Sequence, residues 1–412
     1  MDEKKIKKSF QNIKEDIDNI KLSISEILIK LQSKKKFELE DSSENNFGKF
    51  FTSKVLVNEE MREAVNNVFN SGIFTSGEKV KEFEMKFSKH YGVKHAISVI
   101  NGTIAIELVL KSLGIGKNDE VIVPSHTAIP TVEPVLHVGA KPVFVDILED
   151  NYNINPLEVE KAITKKTKAV ILVHLYGNPA NLYELIKICE KRKIFLIEDC
   201  AQANGSRYNN SHVGTFGIAG CFSFYPTKNM TVCGEGGMII TNDDEVAKKA
   251  KMMSNHGEDG KFNHVILGNN YRLAEIPSAI GIKQLEMLES FIDRRREIAK
   301  IYDEEFKNNE KIILPKETEN YKHSYHLYVI RVKKEIRDEL IDRLKKENIF
   351  LGIHYPVPVH KQPIIKKLIN SPKLKITEKI VKEIISLPIY PSLKNDDVKM
   401  IARKINNLVN IL

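Results

Sequence analysis

Short apolar strands alternate with amphipathic helices through the middle of the chain, and this alternation constrains the fold more than any other feature. The strand candidates are rich in branched side chains and lie at 121–124, 142–146, 169–175, 194–199, 221–224 and 238–241. Helical stretches separate the earlier strands, at 103–113, 156–164 and 182–193. Continuously apolar strands are buried on both faces, and strand–helix–strand repetition builds parallel sheets. The sequence therefore predicts an α/β domain with a mostly parallel sheet covered by helices.

The pattern changes near residue 290. Long charged helices are predicted over 288–307 and 335–347, with an aromatic strand at 326–332 between them. This mixture lacks further strand–helix repetition and predicts a smaller α+β domain. A chain of 412 residues has room for two domains and an appendage. We therefore predict a large domain over 56–290 and a small C-terminal domain over 291–412.

The first forty residues carry a separate pattern. From Ile6 to Leu31, apolar residues, mostly isoleucine, follow one another at alternating intervals of four and three. A strict heptad seam favours a coiled coil over a lone helix packed on the body. Isoleucine at both seam positions favours three or four strands. We predict a coiled-coil helix over 1–40 that raises the oligomeric state, then a polar linker to about 55; docking onto another enzyme or a membrane-surface complex stays open.

Charge and hydropathy exclude several classes of protein. The net charge of +8 is spread along the chain, and the lysine clusters have acidic neighbours, which argues against a nucleic-acid groove. No apolar run approaches the ~18 residues of a membrane span, and charges interrupt the first thirty residues where a signal peptide would be apolar. We therefore expect a cytoplasmic protein that does not span a membrane.

The four cysteines show no close pairing such as CxxC; they are Cys189, Cys200, Cys221 and Cys233. Three of them lie in or beside predicted buried strands, which favours reduced thiols in the core. The sequence predicts neither a disulfide framework nor a metal site.

Polar side chains gather at the carboxyl ends of the predicted strands, which is where α/β sheets bind ligands. The strand at 194–199 ends in Glu198 and Asp199, and Lys228 follows the strand at 221–224. Upstream, Asn101-Gly102-Thr103 opens a helix whose free N–H groups suit a phosphate. Together these groups match the needs of pyridoxal phosphate (PLP), namely a lysine for a Schiff base, a carboxylate for the pyridinium nitrogen and a phosphate site.

Five motifs then carry a family resemblance: NGT (101–103), VIVPSHT (121–127), EDCAQ (198–202), FSFYPTK (222–228) and GEGG (234–237). In this order they resemble the DegT/StrS family of sugar-nucleotide aminotransferases, which are fold-type I PLP enzymes. The likeness continues in NYRL (270–273), HYP (354–356) and LP (387–388), so it covers about 55–412. Only the first fifty residues fall outside it.

The resemblance implies roles for individual residues. Lys228 resembles the Schiff-base lysine, and Asp199 the partner of the pyridinium nitrogen. Gln202 resembles the residue beside the ring and its 3-hydroxyl. The positions that resemble phosphate ligands are Gly102, Thr103 and Ser223, with Asn270 and Arg272 reaching the phosphate from a neighbouring subunit. The resemblance therefore implies a homodimer with a shared active site.

One position departs from the family pattern. The family usually carries an aromatic residue two places after His126 to stack on the cofactor, and this chain has Ala128 there. His126 is the alternative candidate for stacking. Candidate substrate contacts are Thr75, His326, His354 and Tyr355, from an early loop and from the small domain.

The implied activity is transfer of an amino group from glutamate to a nucleotide-linked keto sugar through a Schiff base on Lys228. Some relatives carry histidine at this position and act as sugar dehydratases, so the lysine favours transamination. Three alternatives stay open: a PLP-dependent dehydratase, an aminotransferase for a cyclitol or other non-nucleotide ketone, and a PLP-binding regulatory or assembly protein that acts through the coiled coil.

Overall fold

The structure, a computed structural model, describes residues 48–412, so the coiled coil predicted over 1–40 lies outside the described residues. The described chain forms twelve strands: β1 His95–Val99, β2 Glu120–Pro124, β3 Lys141–Val145, β4 Thr167–Val173, β5 Phe195–Asp199, β6 Arg207–Tyr208, β7 Ser211–His212, β8 Ala219–Ser223, β9 Gly237–Thr241, β10 Tyr321–Lys322, β11 Tyr328–Arg331 and β12 Ile384–Leu387. It also forms twelve α-helices: α1 Glu59–Ser71, α2 Glu78–Tyr91, α3 Gly102–Ser112, α4 Glu133–His137, α5 Pro156–Ala162, α6 Leu182–Arg192, α7 Asp244–Ser254, α8 Glu275–Phe306, α9 Lys334–Lys346, α10 Pro363–Leu368, α11 Lys375–Ile380 and α12 Asn395–Ile411.

A seven-stranded sheet with the order β1-β9-β8-β5-β4-β2-β3 forms the centre of the fold. Strand β9 pairs antiparallel with both of its neighbours, β1 and β8. The remaining pairs, from β8 to β3, are parallel. The predicted mostly parallel sheet is therefore confirmed, and β9 alone runs against the other six strands.

Alternate residues of each central strand enter two different hydrophobic cores, because successive side chains of a strand point to opposite faces. In β2, Ile122 packs in one core with Phe87 of α2, while Val121 and Val123 pack in the other with Leu108 of α3. All five residues of β2 are buried. Both faces of the sheet are thus covered by helices, which explains why its strands read as continuous apolar runs.

The C-terminal part of the chain builds a smaller lobe. Its antiparallel pair β11–β12 packs in a core of its own with α9, α12 and the second half of α8. Helix α8 is 32 residues long and begins at Glu275, well before the predicted start at 288. Leu288 in this helix packs in the large core, whereas Tyr302 packs in the small one. The division at residue 290 stays a prediction, and one continuous helix crosses it.

No helix within residues 48–412 combines the length and the apolar character that a membrane span requires. The four cysteines have free thiols; Cys189, Cys200 and Cys221 are buried and Cys233 is exposed.

Candidate active site

A cavity of about 430 Å³ lies beyond the carboxyl ends of three neighbouring strands, where Val173, Asp199 and Ser223 line it. Its volume falls in the range of small-molecule sites, about 300–1,000 Å³. The remaining lining comes from the start of α3, from the loop after β2 and from the segments that follow β5 and β8. The lining includes six residues that the sequence predicted for cofactor binding: Gly102, Thr103, Asp199, Gln202, Ser223 and Lys228.

The N-terminus of α3 faces the cavity with two free backbone donors. Asn101 caps the helix, since its side chain accepts the N–H of Ile104 at 2.8 Å and its carbonyl accepts the N–H of Ala105 at 3.2 Å. The N–H groups of Gly102 and Thr103 come before that of Ala105, which is the first to bond a backbone carbonyl of the helix, and they lack a partner within the helix. This end of α3 therefore has the donors and the dipole to bind an anion.

Glycines allow this helix end to pack against the sheet. A Cβ on Gly237 of β9 would lie 2.4 Å from the carbonyl carbon of Asn101, which no packing tolerates. A Cβ on Gly102 would lie 3.0 Å from the Cβ of Ser223. The GEGG motif thus ends in a glycine because the backbone of the anion site lies directly on β9.

Asp199 is buried at the end of β5, with 4% of its surface exposed. Its Oδ1 accepts the N–H of Ala201 at 3.0 Å and its Oδ2 accepts the hydroxyl of Thr131 at 2.7 Å. Burial raises the pKa of Asp199, while these two hydrogen bonds and the charge of Lys228 act in the opposite direction. Each oxygen of this carboxylate therefore accepts a hydrogen bond from the protein.

Lys228 lines the same cavity. Although the residue is partly exposed to the cavity, protein atoms surround its amine, and this desolvation lowers the pKa of Lys228 to about 8. The charge of Asp199 raises the same pKa but does not offset burial. A substantial neutral fraction near physiological pH makes this amine a nucleophile and a proton acceptor.

Gln202 is fixed by both ends of its amide. Its Oε1 accepts the N–H of Tyr176 at 2.8 Å, and its Nε2 donates to the hydroxyl of Tyr355 at 3.0 Å. The contact with Tyr355 joins the large sheet to the small lobe at the edge of the cavity.

His126 does not reach the cavity wall. It is buried, and its Nε2 lies 2.7 Å from the hydroxyl of Tyr176. That hydroxyl donates to the carbonyl of His354, so it accepts from His126. Ala128, by contrast, lines the cavity. His126 is thus engaged in a local hydrogen bond and is not among the residues that line the cavity, and its stacking role stays a prediction.

Three further predicted residues lie outside the lining. Thr75 is exposed, and its backbone bridges to Ala274. Asn270 is exposed and Arg272 half-buried, and Arg272 donates to the side chain of Asn255. None of the three lines the cavity with Lys228.

The small-lobe candidates lie close to the cavity without lining it. Burial, and then the charge of Lys228, lower the pKa of His354 to about 4 and that of His326 well below its ordinary value. Burial and the charge of Asp199 raise the pKa of Tyr355 to about 12. All three therefore interact electrostatically with Lys228 or Asp199, and all three are neutral at physiological pH.

Sequence reasoning missed two threonines of the lining, Thr127 and Thr131, in the loop after β2. Their spacing of four residues beyond a strand end was the available signal, but a threonine in a loop is common and carries little information by itself. Tyr225 and Glu235 also line the cavity and follow predicted motif residues closely.

The residues present fit PLP. A buried amine with a lowered pKa, a buried carboxylate held by donors and a helix N-terminus face one cavity of suitable volume. This set, on a mostly parallel sheet with a small C-terminal lobe, defines a fold-type I PLP enzyme.

The sequence comparisons agree. The DegT/DnrJ/EryC1/StrS aminotransferase family matches residues 56–406, and the chain belongs to this family. A dTDP-3-amino-3,6-dideoxy-alpha-D-galactopyranose transaminase from Aneurinibacillus thermoaerophilus is 40% identical over 347 residues, which is 84% of this chain and 94% of that protein. A pleiotropic regulatory protein from Geobacillus stearothermophilus is 39% identical over 349 residues, covering 84% of this chain and 93% of that protein.

The fold comparison gives the same class. The crystal structure of S. venezuelae DesV in complex with a ketimine intermediate superposes with a TM-score of 0.82 at 36% identity, covering 85% of this chain and 94% of that chain. Aminotransferases of the family use PLP. The protein is a PLP-dependent aminotransferase.

Proposed function

We propose that this enzyme transfers an amino group from glutamate to a keto sugar linked to a nucleotide. The observation that carries the proposal is the shared cavity of Lys228 and Asp199, in a chain that is 40% identical to a dTDP-sugar transaminase. The cofactor, when bound, supplies an electron sink for the carbanion formed as the donor loses its α-proton.

Different residues of the cavity would bind different parts of the cofactor. The N–H groups of Gly102 and Thr103, with the hydroxyls of Thr103 and Ser223, would hold the phosphate at the positive end of α3. Asp199 would bind the ring nitrogen, and a carboxylate there favours the protonated ring. Gln202 would bind the edge of the ring, because its amide is already oriented by Tyr176 and Tyr355.

Lys228 has two tasks in this proposal. Its amine would hold the cofactor through a Schiff base, and as a free amine it would accept and return a proton at Nζ. Burial supports the second task, since an amine with a pKa of about 8 is partly neutral at the working pH. The same lysine disfavours the dehydratase alternative, which by family resemblance has histidine at this position.

The proposed assembly is a homodimer with a shared site. Asn270 and Arg272 lie outside the cavity of their own chain, which is expected if each serves the cavity of a partner. Substrate contacts by Thr75, His326, His354 and Tyr355 belong to the same proposal. The further oligomerisation through residues 1–40 and the cytoplasmic location stay predictions.

The experiment that tests the proposal supplies nucleotide-linked keto sugars with glutamate and measures 2-oxoglutarate. Repeated turnover to 2-oxoglutarate that requires the keto sugar supports it, because glutamate alone can yield only one equivalent of 2-oxoglutarate for each cofactor-loaded site. Turnover of cyclitol ketones alone would support that alternative. The name of the Geobacillus relative favours a second candidate, a regulatory protein; failure to transaminate any keto substrate despite PLP binding would favour that candidate.

A further inference from the structure

Two threonines connect the loop after β2 to Asp199 through a directed chain of hydrogen bonds. Thr131 donates its hydroxyl proton to Asp199 Oδ2 at 2.7 Å, and the hydroxyls of Thr127 and Thr131 lie 2.8 Å apart. A hydroxyl has one proton to give. Because the proton of Thr131 points at the carboxylate, Thr127 must be the donor to Thr131.

This chain of hydrogen bonds is buried and runs along the carboxyl edge of the sheet, from the segment after β2 to the end of β5. The exposed fractions are 2% for Thr127, 2% for Thr131 and 4% for Asp199. The threonines follow β2 and Asp199 ends β5, and β4 lies between these strands. Both threonines line the cavity. Burying a chain of hydroxyl groups costs free energy unless each hydroxyl has a hydrogen-bond partner.

We propose that Thr131, supported by Thr127, is a positioning residue that fixes the Asp199 carboxylate in the orientation in which it binds the ring nitrogen of the cofactor. The inference rests on the role proposed for Asp199. It adds that this orientation depends on a loop two strands away and not on β5 alone.

The geometry explains why one donor is insufficient. The N–H of Ala201 holds Oδ1 but leaves the carboxylate free to rotate about its bond to Cβ. The hydroxyl of Thr131 holds Oδ2 on the other side, so the plane of the carboxylate is defined by two donors. Both bonds also favour the charged form of Asp199 over the neutral form.

The test compares Thr131→Val, Thr131→Ser and Thr127→Val in the full-length protein. The readouts are the Kd of the apoprotein for PLP and the absorbance of the bound cofactor as a function of pH. Loss of a hydrogen bond to a charged group should weaken PLP binding about tenfold in Thr131→Val. Thr131→Ser keeps the hydroxyl and should restore affinity to within about twofold. Thr127→Val should fall between the two.

The pH profile separates positioning from mere stability. Without the hydroxyl of Thr131, the pKa of Asp199 rises, so the carboxylate becomes protonated at a higher pH than in the wild type. As the pH is lowered, PLP affinity should therefore begin to fall at a higher pH in Thr131→Val than in the wild type. The titratable groups that also interact electrostatically with Asp199 are Lys228, His174, Tyr355, Cys200 and Cys221, and all of them remain in the variants.

The matched control is Thr377→Val. The hydroxyl of Thr377 makes the same 2.7 Å bond to a buried carboxylate, that of Asp146, which does not line the cavity. This variant should lose stability and keep wild-type PLP affinity. Wild-type affinity and pH profile in Thr131→Val would overturn the inference, as would an equal loss of affinity in Thr377→Val. If the wild-type protein itself binds no PLP, the proposed function fails instead.

Discussion

Glu198 and Asp199 are neighbours in β5, and their carboxylates lie on opposite faces of the sheet. Glu198 is fully buried away from the cavity, where it accepts the N–H groups of Gly214, Phe216 and Gly217, each at 2.7 Å. His174 also donates to it at 3.0 Å, since the other ring nitrogen of His174 accepts the N–H of Ala180. Glu198 therefore holds a loop in place, whereas Asp199 faces the cavity.

We predict different effects for the two amide variants. Glu198→Gln places an NH₂ group against backbone donors and should lower the free energy of unfolding by about 1–3 kcal/mol. Asp199→Asn should leave that free energy unchanged or higher, because it removes a buried charge, but weaken PLP binding at least about tenfold. Urea unfolding and PLP titration measure both, with Glu184→Gln as an exposed control. Equal effects of the two variants on stability would contradict this division.

Lys228→Ala should lower turnover by at least about a thousandfold, because it removes both the Schiff-base amine and the proton carrier. The absorbance band of the covalently bound cofactor should disappear as well. Thermal stability should be retained or rise, since the buried amine is costly to desolvate. The exposed Lys261→Ala serves as control. Normal turnover in Lys228→Ala would refute the assignment of this lysine.

The pH dependence of kcat should show an acid limb with a midpoint near the pKa of Lys228, about 8. Only the neutral amine accepts a proton, so kcat rises as the pH increases through this value and then levels off. The charge of Asp199 raises the pKa of Lys228. The residual activity of Asp199→Asn should therefore have its midpoint at lower pH, and an upward shift would contradict this coupling.

Two glycines of one motif should respond differently to alanine. A Cβ at Gly237 meets the backbone of Asn101, whereas a Cβ at Gly234 has no neighbour within 4 Å. Gly237→Ala should cost at least about 1–3 kcal/mol and weaken PLP binding, because the start of α3 must move. Gly234→Ala should be close to wild type in both thermal melting and PLP titration. Equal losses in the two variants would show that steric contact is not the reason for the motif.

The seam of isoleucines in the first forty residues predicts self-association. A variant lacking residues 1–45 should sediment as a smaller particle than the full-length protein and keep its aminotransferase activity, since the family match begins at residue 56. An unchanged particle size would discard the predicted coiled coil as an oligomerisation element.

Much of the fold was predictable because its elements carry strong local patterns. The buried strands read as apolar runs, and Asn101 reads as a helix cap. Strand β1 was missed because a histidine and a serine interrupt its five residues. The start of α8 was placed too late because Pro277 and Gly281 resemble breaks, although proline is tolerated in a first turn.

The site was predictable where one motif carries one role, as at Lys228. Contacts between distant segments were not, because sequence patterns report only local periodicity. The bond between Thr131 and Asp199 joins residues 68 positions apart, and that between Gln202 and Tyr355 joins residues 153 apart. The hydrogen bond between His126 and Tyr176 likewise joins residues 50 positions apart and has no local sequence signal.

The continuous helix α8 also limits where the sequences of two related enzymes can be recombined into a chimera. Recombination near residue 290 would join the first half of α8 from one parent, which packs in the large core, to the second half from another parent, which packs in the small core. A functional chimera must therefore inherit Glu275–Phe306 from a single parent, so crossover points that respect the lobes lie in the loops before or after this segment.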